Sequence, residues 1–350
     1  MKSLRLLIIP AYLLLLVTII GSKPVLAVSN VLVVINRSSS TSVKIGEYYA
    51  KKRAIPSSRI CRIDCTKSED FPIEDYYKLR DAIKSHIKRN GLKDEIDYIV
   101  LTKDIPLRIR DGNRRFSVDS CLVALWYDEM TNKSPNPYYE SSERFSSKKF
   151  GIYLVTRLDG YTEEDVLKLV DRSIAAKPQK GLFLFETPTS WDKKPLYGNV
   201  NKSQREAAKL LKQKGFQCKI VSDGFAGGEK GLMGYYTWGS NNSKFDSAKY
   251  CGNTFLPGAI AETVVSTSAR SMKPQKEGQS LIADLIKSGV TGVKGYCTEP
   301  FVTAVARADI LFDRYTSGFN LAESFYAASP YIHWMDIIVG DPLCSPYPAK

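Results

Sequence analysis

The sequence predicts an α/β protein of two side-by-side subdomains, each with a mostly parallel sheet flanked by helices. Short apolar runs alternate with amphipathic stretches, and this alternation of strand and helix patterns is typical of parallel sheets. The alternation breaks once, at a polar and serine-rich stretch, and then starts again. We therefore expect an N-terminal subdomain over residues 28–130, a connecting loop over 131–149 and a C-terminal subdomain over 150–350.

The first 27 residues have the pattern of a signal peptide. Lys2 and Arg5 give a positive start, residues 6–20 are almost all apolar, and small side chains precede a cleavage position after Ala27. The alternative is a membrane anchor, but the apolar run is shorter than the roughly 20 residues that a membrane span needs. We expect an exported protein, periplasmic or extracellular, that does not span a membrane after cleavage.

The N-terminal subdomain begins with an apolar run at residues 30–36, which is typical of a strand buried on both faces of a parallel sheet. Ser42 is placed to cap a helix that runs to residue 53. Short strands are expected at residues 62–64 and 97–102. Between these two strands, apolar residues recur three or four positions apart and predict an amphipathic helix: Tyr76, Leu79, Ile83 and Ile87.

The C-terminal subdomain repeats the alternation of strands and helices. Thr162 and Asp165 have the spacing of a capping box, which predicts the start of a helix. Because ligands bind parallel sheets beyond the carboxyl ends of the strands, site residues are expected just after each strand. Strands are expected at residues 152–156, 182–185, 218–221, 233–238, 259–266, 290–297 and 337–339, and further helices at 203–214, 281–287 and 301–315.

The charge balance is basic. Loss of Lys2, Arg5 and Lys23 with the signal segment lowers the formal net charge from +13 to +10. Such a surplus suits acidic surfaces such as anionic glycans, and it equally fits a solvated lysine-rich surface. The basic residues are scattered, and no run interleaves them with aromatic residues as in nucleic-acid grooves. Nucleic-acid binding is therefore not expected.

Neither a metal site nor a cofactor is expected from the motifs. The chain has no CxxC, no HExxH and no glycine-rich phosphate loop, and it contains two histidines, His86 and His333. Seven cysteines follow the signal segment, an odd and sparse set whose disulfide pairing the sequence leaves open.

Two residues are candidates for nucleophilic catalysis. A catalytic cysteine needs a base within hydrogen-bond reach, usually a histidine. Cys297 ends a predicted strand, and His333 precedes the last one, whereas His86 lies on a basic, solvated helix face. The alternatives are that Cys297 is a buried inert thiol and that His333 is a packing or capping residue.

From residue 152 onward, the order and spacing of several segments resemble the gingipains, bacterial cysteine peptidases of the caspase fold. The match extends over about 190 residues, and its literal identities are the Gly-Ser pair at 239–240 and the Gly-Asp-Pro at 340–342. The resemblance implies a caspase-like fold. The segments that carry it are residues 156–164, 233–240, 255–268, 280–287, 289–293 and 339–343.

The catalytic residues of that family are missing at the matching positions. Trp238 stands where the resemblance expects the histidine, and residues 266–268 stand where it expects the cysteine. An indole has only an N–H donor and cannot act as a base, and a serine without a base is a poor nucleophile. The resemblance thus implies a pseudoenzyme. Its candidate cleft consists of Arg157, Asp159, Thr237, Trp238, Gly239, Ser240, Ser266, Thr267 and Ser268.

The mature chain also resembles a group of exported bacterial proteins of unknown function, on residues 30–49, 100–108, 157–160 and the Gly-Asp-Pro. Two hypotheses follow. The first is a non-catalytic gingipain-fold protein of the cell envelope that binds an envelope protein or a peptide or glycan ligand. The second is an active hydrolase that uses Ser266 or Ser268, or Cys297 with His333, at the same strand ends.

Overall fold

The computed structural model describes residues 30–127 and 133–349. The expected signal peptide and residues 128–132 of the expected connecting loop lie outside the described residues. The first elements are β1 (Val31–Asn36), α1 (Ser40–Lys52), β2 (Ile60–Ile63), β3 (Asp70–Pro72), α2 (Ile73–Arg89), β4 (Tyr98–Thr102), β5 (Arg108–Asp111), β6 (Arg114–Ser117), α3 (Val118–Val123), β7 (Ser134–Pro135), α4 (Ser147–Phe150) and β8 (Leu154–Leu158).

The second part of the chain contributes the remaining helices and strands. They are α5 (Glu163–Ile174), β9 (Leu182–Glu186), α6 (Pro195–Gln213), β10 (Gln217–Val221), β11 (Leu232–Thr237), α7 (Ser247–Cys251), β12 (Phe255–Thr263), α8 (Ile282–Lys287), β13 (Gly292–Tyr296), α9 (Ala308–Thr316), α10 (Leu321–Ala328), β14 (Tyr331–Ile332) and β15 (Asp336–Gly340).

A ten-stranded sheet forms the centre of the molecule, in the order β10-β9-β11-β12-β13-β15-β8-β4-β1-β2. Strands β9 to β13 pair in parallel, as do β8, β4, β1 and β2. β15 runs antiparallel to β13. Helices flank the sheet, so the predicted α/β class with a mostly parallel sheet is confirmed.

The local patterns explain why these elements form. Every residue of β1, β4 and β8 is buried, as expected for strands covered on both faces. α2 buries the four apolar residues that predicted it. Thr162 and Asp165 form the expected capping box at the start of α5. The cap of α1 is Ser39 and not Ser42, which lies inside the helix.

The structure corrects the predicted boundary between two sheets. β8, expected to open the C-terminal subdomain, pairs with β4 from Tyr98/Leu154 to Thr102/Leu158. The strands on both sides of residues 131–149 therefore share one continuous sheet. The weakest pairing between neighbouring strands of this sheet is elsewhere. β15 and β8 are joined by a single residue pair, Val339 and Arg157. A polar composition is typical of any surface loop. It therefore does not distinguish a linker between two sheets from a loop that connects strands of one sheet.

The Gly-Asp-Pro segment closes the fold. The buried carboxylate of Asp341 accepts hydrogen bonds from Tyr49 Oη at 2.7 Å and Ser173 Oγ at 2.7 Å, and it pairs with Arg53. These contacts tie the end of β15 to α1 and α5. Within the described ranges, no helix has the length and apolar character needed to cross a membrane.

Candidate functional site

The residues that follow β11 and β12 leave the sheet at the same edge. The two strands pair in parallel up to Thr237 and Thr263, and Val264 N donates to Thr237 O at 2.8 Å. The loops that contain Trp238 and residues 266–268 therefore start at neighbouring strand ends. This is the arrangement that their positions in the sequence predict.

A buried carboxylate that the sequence did not point to fixes the loop after β11. Glu186, the last residue of β9, is fully buried and accepts from Trp238 N at 2.7 Å and Thr237 Oγ1 at 2.6 Å. It also accepts from Asn242 Nδ2 at 2.6 Å and Ala226 N at 3.2 Å. Burial raises the pKa of Glu186, while these hydrogen bonds favour the carboxylate form. Glu186 thereby sets the backbone path of the loop.

Trp238 lies beneath the surface and does not line an open cleft. Its side chain has no solvent exposure. The ring stacks on Trp191 with centroids 5.0 Å apart, and Tyr197 lies 5.9 Å away on the same stack. Its Nε1 donates to Asn201 Oδ1 at 3.0 Å. An indole held in this way supports the structure and offers no proton acceptor.

The hydroxyl groups of Thr267 and Ser268, a few positions after β12, are held by other groups of the described structure. Ser268 is buried, and its Oγ accepts from Thr263 Oγ1 at 3.0 Å and Tyr296 N at 3.3 Å. Thr267 Oγ1 donates to Gln279 Oε1 at 2.7 Å, and Ser266 is half-buried. Within residues 30–127 and 133–349, none of the three hydroxyls is hydrogen-bonded to a histidine or carboxylate side chain.

Gly239 and Ser240 turn the chain after Trp238. Gly239 has φ +50°, and a Cβ at this position would lie 2.7 Å from Val265 Cγ2, so only glycine fits the turn. Ser240 N donates to Ser280 Oγ at 3.2 Å, and Ser280 N donates to Ser240 Oγ at 3.0 Å. The two backbone N–H groups that an oxyanion could use are thus bound inside the protein: Gly239 N donates to Thr237 Oγ1 at 2.9 Å.

Cys297 and His333 are not arranged as a catalytic pair. Cys297 is 2 % exposed, and burial raises the pKa of its thiol to about 12. His333 has φ +56°, and its Nδ1 lies 3.5 Å from Ser134 Oγ. Burial lowers the pKa of His333. No hydrogen bond joins Cys297 to His333 in the described part of the chain, so the thiol stays protonated at neutral pH. All seven cysteines are unpaired.

Arg157 and Asp159 belong to a buried ion cluster. Arg157 donates to Asp119 Oδ2 at 2.6 Å through Nη2 and to Asp159 Oδ2 at 3.1 Å through Nη1. Asp159 also accepts from Lys103 Nζ at 3.1 Å. The charges of Arg157 and Asp159 are therefore satisfied by internal partners, and neither group is open to a ligand.

The open feature near this edge is a groove between α6 and the residues that follow β13. Its main cavity has a volume of about 530 Å³, and a smaller depression of about 70 Å³ adjoins it. The two share Val302 and Val305 as lining residues. Three large apolar side chains along them are exposed: Phe301 by 59 %, Leu196 by 53 % and Tyr197 by 37 %. We call this feature the apolar groove.

One wall of the apolar groove is residues 298–307, here named the cover segment. Buried polar groups of the sheet hold its carbonyls: Lys294 Nζ donates to Ala304 O at 3.2 Å, and Tyr236 Oη donates to Ala306 O at 2.7 Å. Phe301 has φ +63°, a conformation that a bulky residue keeps only where its surroundings impose it. The sequence predicted a helix over residues 301–315, but α9 begins at Ala308.

The groove and the predicted cleft overlap in part. Of the residues predicted for the cleft, Ser266 lines the smaller depression, together with Asn241 and Tyr197. No sequence signal pointed to Leu196 or Phe301, because single exposed apolar residues have no periodicity. The described residues contain no group of three or more histidine, cysteine or acidic side chains that could hold a metal ion.

Comparisons with known proteins give little further information. No family model matches the chain, and no curated protein matches it. A solved structure described as a protease is similar over 93 % of this chain and 80 % of its own, with 12 % sequence identity and a TM-score of 0.41. No residue role is transferred from a likeness at this level.

Proposed function

We propose that the protein is an exported, non-catalytic binding protein of the cell envelope, and that the apolar groove holds a peptide segment of a partner protein. The observation that carries the proposal is the exposure of Leu196 at the cavity of about 530 Å³ and of Tyr197 and Phe301 at the adjoining depression of about 70 Å³. Exposed apolar groups that surround a concave surface are typical of interaction sites. The signal-peptide pattern of residues 1–27 supports export.

A peptide suits the lining of the groove better than a purely apolar molecule. Asn199 and Thr303 place an amide and a hydroxyl group among the apolar residues of the main cavity. An extended peptide carries backbone N–H and C=O groups that need hydrogen-bond partners, together with side chains that can enter an apolar cavity. The groove offers both kinds of contact.

The absence of a catalytic pair at the matching strand ends supports a binding role over hydrolysis. Trp238 is buried and hydrogen-bonded, and in the described part of the chain no histidine or carboxylate side chain is bonded to the hydroxyls of residues 266–268. Nucleophilic catalysis requires both a reactive group and a base within reach. The gingipain resemblance then concerns the scaffold, with its reacting side chains replaced.

Substitutions along the groove are expected to weaken peptide binding. We expect Phe301→Ser and Leu196→Ser each to reduce affinity about tenfold or more for peptides selected from a random peptide library on the wild-type protein, since central apolar anchors dominate such contacts. The matched control is Ile220→Ser, because Ile220 is a large apolar residue, exposed by 37 %, that lies outside the groove. Affinities are measured by fluorescence anisotropy.

Three outcomes would contradict the peptide proposal. The first is that no peptide is selected on the wild-type protein, and the second is that Ile220→Ser lowers the affinity as much as the groove variants do. The third is that no peptide binds, while glycans from a glycan array bind and Phe301→Ser abolishes their binding. The last outcome would retain the groove and change its ligand.

The seven thiols are expected to differ sharply in reactivity. In the native protein at pH 8, iodoacetamide should modify the exposed Cys251 and leave Cys297 unmodified, because Cys297 is buried and its thiol pKa is raised to about 12. Mass spectrometry of proteolytic fragments measures the extent at each site. Denaturation in urea should make Cys297 as reactive as Cys251, which serves as the internal control.

The rate at which the protein cleaves reporter peptides after Arg or Lys is expected to equal the rate in buffer alone. Turnover, or modification of Cys297 by a thiol-directed peptide inhibitor that is lost in His333→Ala, would contradict the non-catalytic proposal and favour the hydrolase hypothesis.

A further inference from the structure

Three arginines lie on one face of the small sheet β3-β5-β6. Arg108 and Arg110 are two residues apart on β5, and side chains two apart on a strand point to the same face. Arg115 of β6 lies directly opposite Arg110 in the antiparallel pair. All three line an open cavity of about 560 Å³.

The cavity has more positive than negative charge. Its one acidic lining residue is Asp70, which accepts from Arg108 Nε at 2.7 Å and Nη2 at 2.6 Å. The pKa of Asp70 is lowered, first by its hydrogen bond with Arg108 and further by the charges of Arg115 and Arg110. The single carboxylate is therefore already occupied by one of the three guanidinium groups.

Among the described residues, the other two arginines form no ion pair with an acidic side chain. Arg115 Nη1 donates to the carbonyls of Gly112 at 3.0 Å and Arg114 at 2.9 Å. The side chain of Arg110 is exposed and forms no hydrogen bond or ion pair within the described residues. Like charges directly opposite each other on paired strands are destabilising. A bound anion between Arg110 and Arg115 would remove this repulsion.

Two hydroxyl groups complete the cavity wall. Ser68 lies before β3, and Thr298 follows Cys297 at the end of β13. Ser68 Oγ accepts from Asp70 N at 3.3 Å, which leaves its O–H for donation. Guanidinium and hydroxyl donors are the groups that proteins use for oxyanions, and arginine binds them with two parallel N–H bonds.

We propose that this cavity is a second binding site, separate from the apolar groove, for the phosphate or sulfate group of a small organic molecule such as a sugar ester. The net positive lining favours a tetrahedral oxyanion. The volume of about 560 Å³ lies in the range for small organic ligands and exceeds the need of a bare ion. The sugar part would fill the remainder.

The test is a calorimetric titration of the mature protein, residues 28–350, with four probes: glucose 6-phosphate, glucose 6-sulfate, inorganic phosphate and inorganic sulfate. We expect the two esters to bind more tightly than the two free ions. Arg110→Gln and Arg115→Gln should each weaken ester binding about tenfold or more, since each removes a charged hydrogen-bond donor. Arg110→Lys keeps the charge and should restore only part of the affinity.

The matched control is Arg37→Gln, an exposed arginine that pairs with Asp64 away from this cavity. Loss of binding in this control would mean that overall charge attracts the probes, and the site would be rejected. Failure of all four probes to bind at millimolar concentration would also reject it. Tighter binding of the free ions than of the esters would reject the organic ligand.

Thermal unfolding separates a binding defect from a folding defect. Glucose 6-phosphate should raise the Tm of the wild-type protein and leave that of Arg110→Gln unchanged. Without a ligand, Arg110→Gln should unfold at the same temperature as the wild type or slightly above it, because the substitution removes a repulsion. A lower Tm of the unliganded variant would contradict the idea that Arg110 is unpaired.

Discussion

Replacing Arg157 with methionine is expected to lower the free energy of unfolding by about 3–5 kcal/mol. The guanidinium donates to Asp119 Oδ2 at 2.6 Å, to Asp159 Oδ2 at 3.1 Å and to the carbonyl of Pro106 at 3.1 Å. Burial already raises the pKa of Asp119, and the charge of Arg157 opposes the rise. Methionine leaves Asp119 buried without its counter-charge, whereas Asp159 keeps Lys103.

Urea denaturation at pH 7, followed by circular dichroism, measures this loss. The control is Arg37→Met, whose exposed ion pair with Asp64 should contribute at most about 1 kcal/mol. The double variant Arg157→Met with Asp119→Leu should recover part of the stability, because it removes the unpaired carboxylate as well as the guanidinium. A loss below about 1 kcal/mol in Arg157→Met would show that the cluster is solvated or rearranges.

Arg157 also shows how far the sequence could predict the site. The family resemblance suggested that Arg157 lies at the cleft, but the structure places it inside β8 with buried partners. The main partner, Asp119, is 38 positions away and lies on α3. Patterns over a few residues cannot show such a pairing, because it depends on how distant elements pack. The same limit applies to Trp238 and its anchor Glu186.

The fold was more predictable than the site because its signals are local. Continuous apolar runs identified β1 and β4, and apolar spacing identified α2. Among the strands that the sequence missed, β3, β5 and β6 have three or four residues each and contain polar side chains. Their stability comes from pairing with one another and not from an apolar pattern.

The arginine site depends on the missed strands. Residues 108–115 contain four arginines, Arg108, Arg110, Arg114 and Arg115, but the sequence does not show which of them share a face. The hairpin of β5 and β6 then sets Arg110 opposite Arg115. Strand pairing therefore decides which arginines of this segment lie on one face.

The cover segment could not be predicted for a different reason. Its sequence includes apolar residues with helical spacing, which suggested one helix over 301–315. The path is fixed instead by Lys294 and Tyr236, whose side chains bind the carbonyls of Ala304 and Ala306. Hydrogen bonds from the buried sheet thus override local propensity and keep Phe301 at the edge of the apolar groove.

The sheet beneath the cover segment contains a buried cluster of ionisable groups. Glu262 and Lys294 lie side by side on β12 and β13, and Lys294 Nζ lies 3.0 Å from Asp336 Oδ2. Glu262 Oε1 accepts from Tyr296 Oη at 2.6 Å, while Glu262 Oε2 is buried and has no hydrogen-bond partner among the residues that the structure describes. Tyr236 of β11 pairs in register with Glu262 and also faces this carboxyl group.

This cluster is expected to make the protein less stable as the pH rises from about 4.5 to 8. Burial raises the pKa of Glu262 from 4.5 to about 8, and Lys294 opposes the rise. In this window the unfolded chain releases the proton that the folded protein retains, so the free energy of unfolding falls with increasing pH. At about 1.4 kcal/mol for each pKa unit, the loss reaches about 3–5 kcal/mol by pH 8. Burial also raises the pKa of Asp336, and this lowers the free energy of unfolding further as the pH rises.

Glu262→Gln isolates the contribution of this carboxyl group. Glutamine can still accept from Tyr296 but cannot ionise, so the variant should lose most of the decline between pH 4.5 and 8. Its stability relative to the wild type should therefore be lowest at pH 4.5 and improve steadily toward pH 8.

The control is Glu47→Gln. Glu47 is an exposed carboxyl group whose side chain is 57 % accessible, so this substitution should leave the pH profile unchanged. Urea denaturation at intervals of half a pH unit measures the three profiles. Parallel profiles for the wild type and Glu262→Gln would mean that Glu262 is ionised in the folded protein, with Lys294 as its counter-ion.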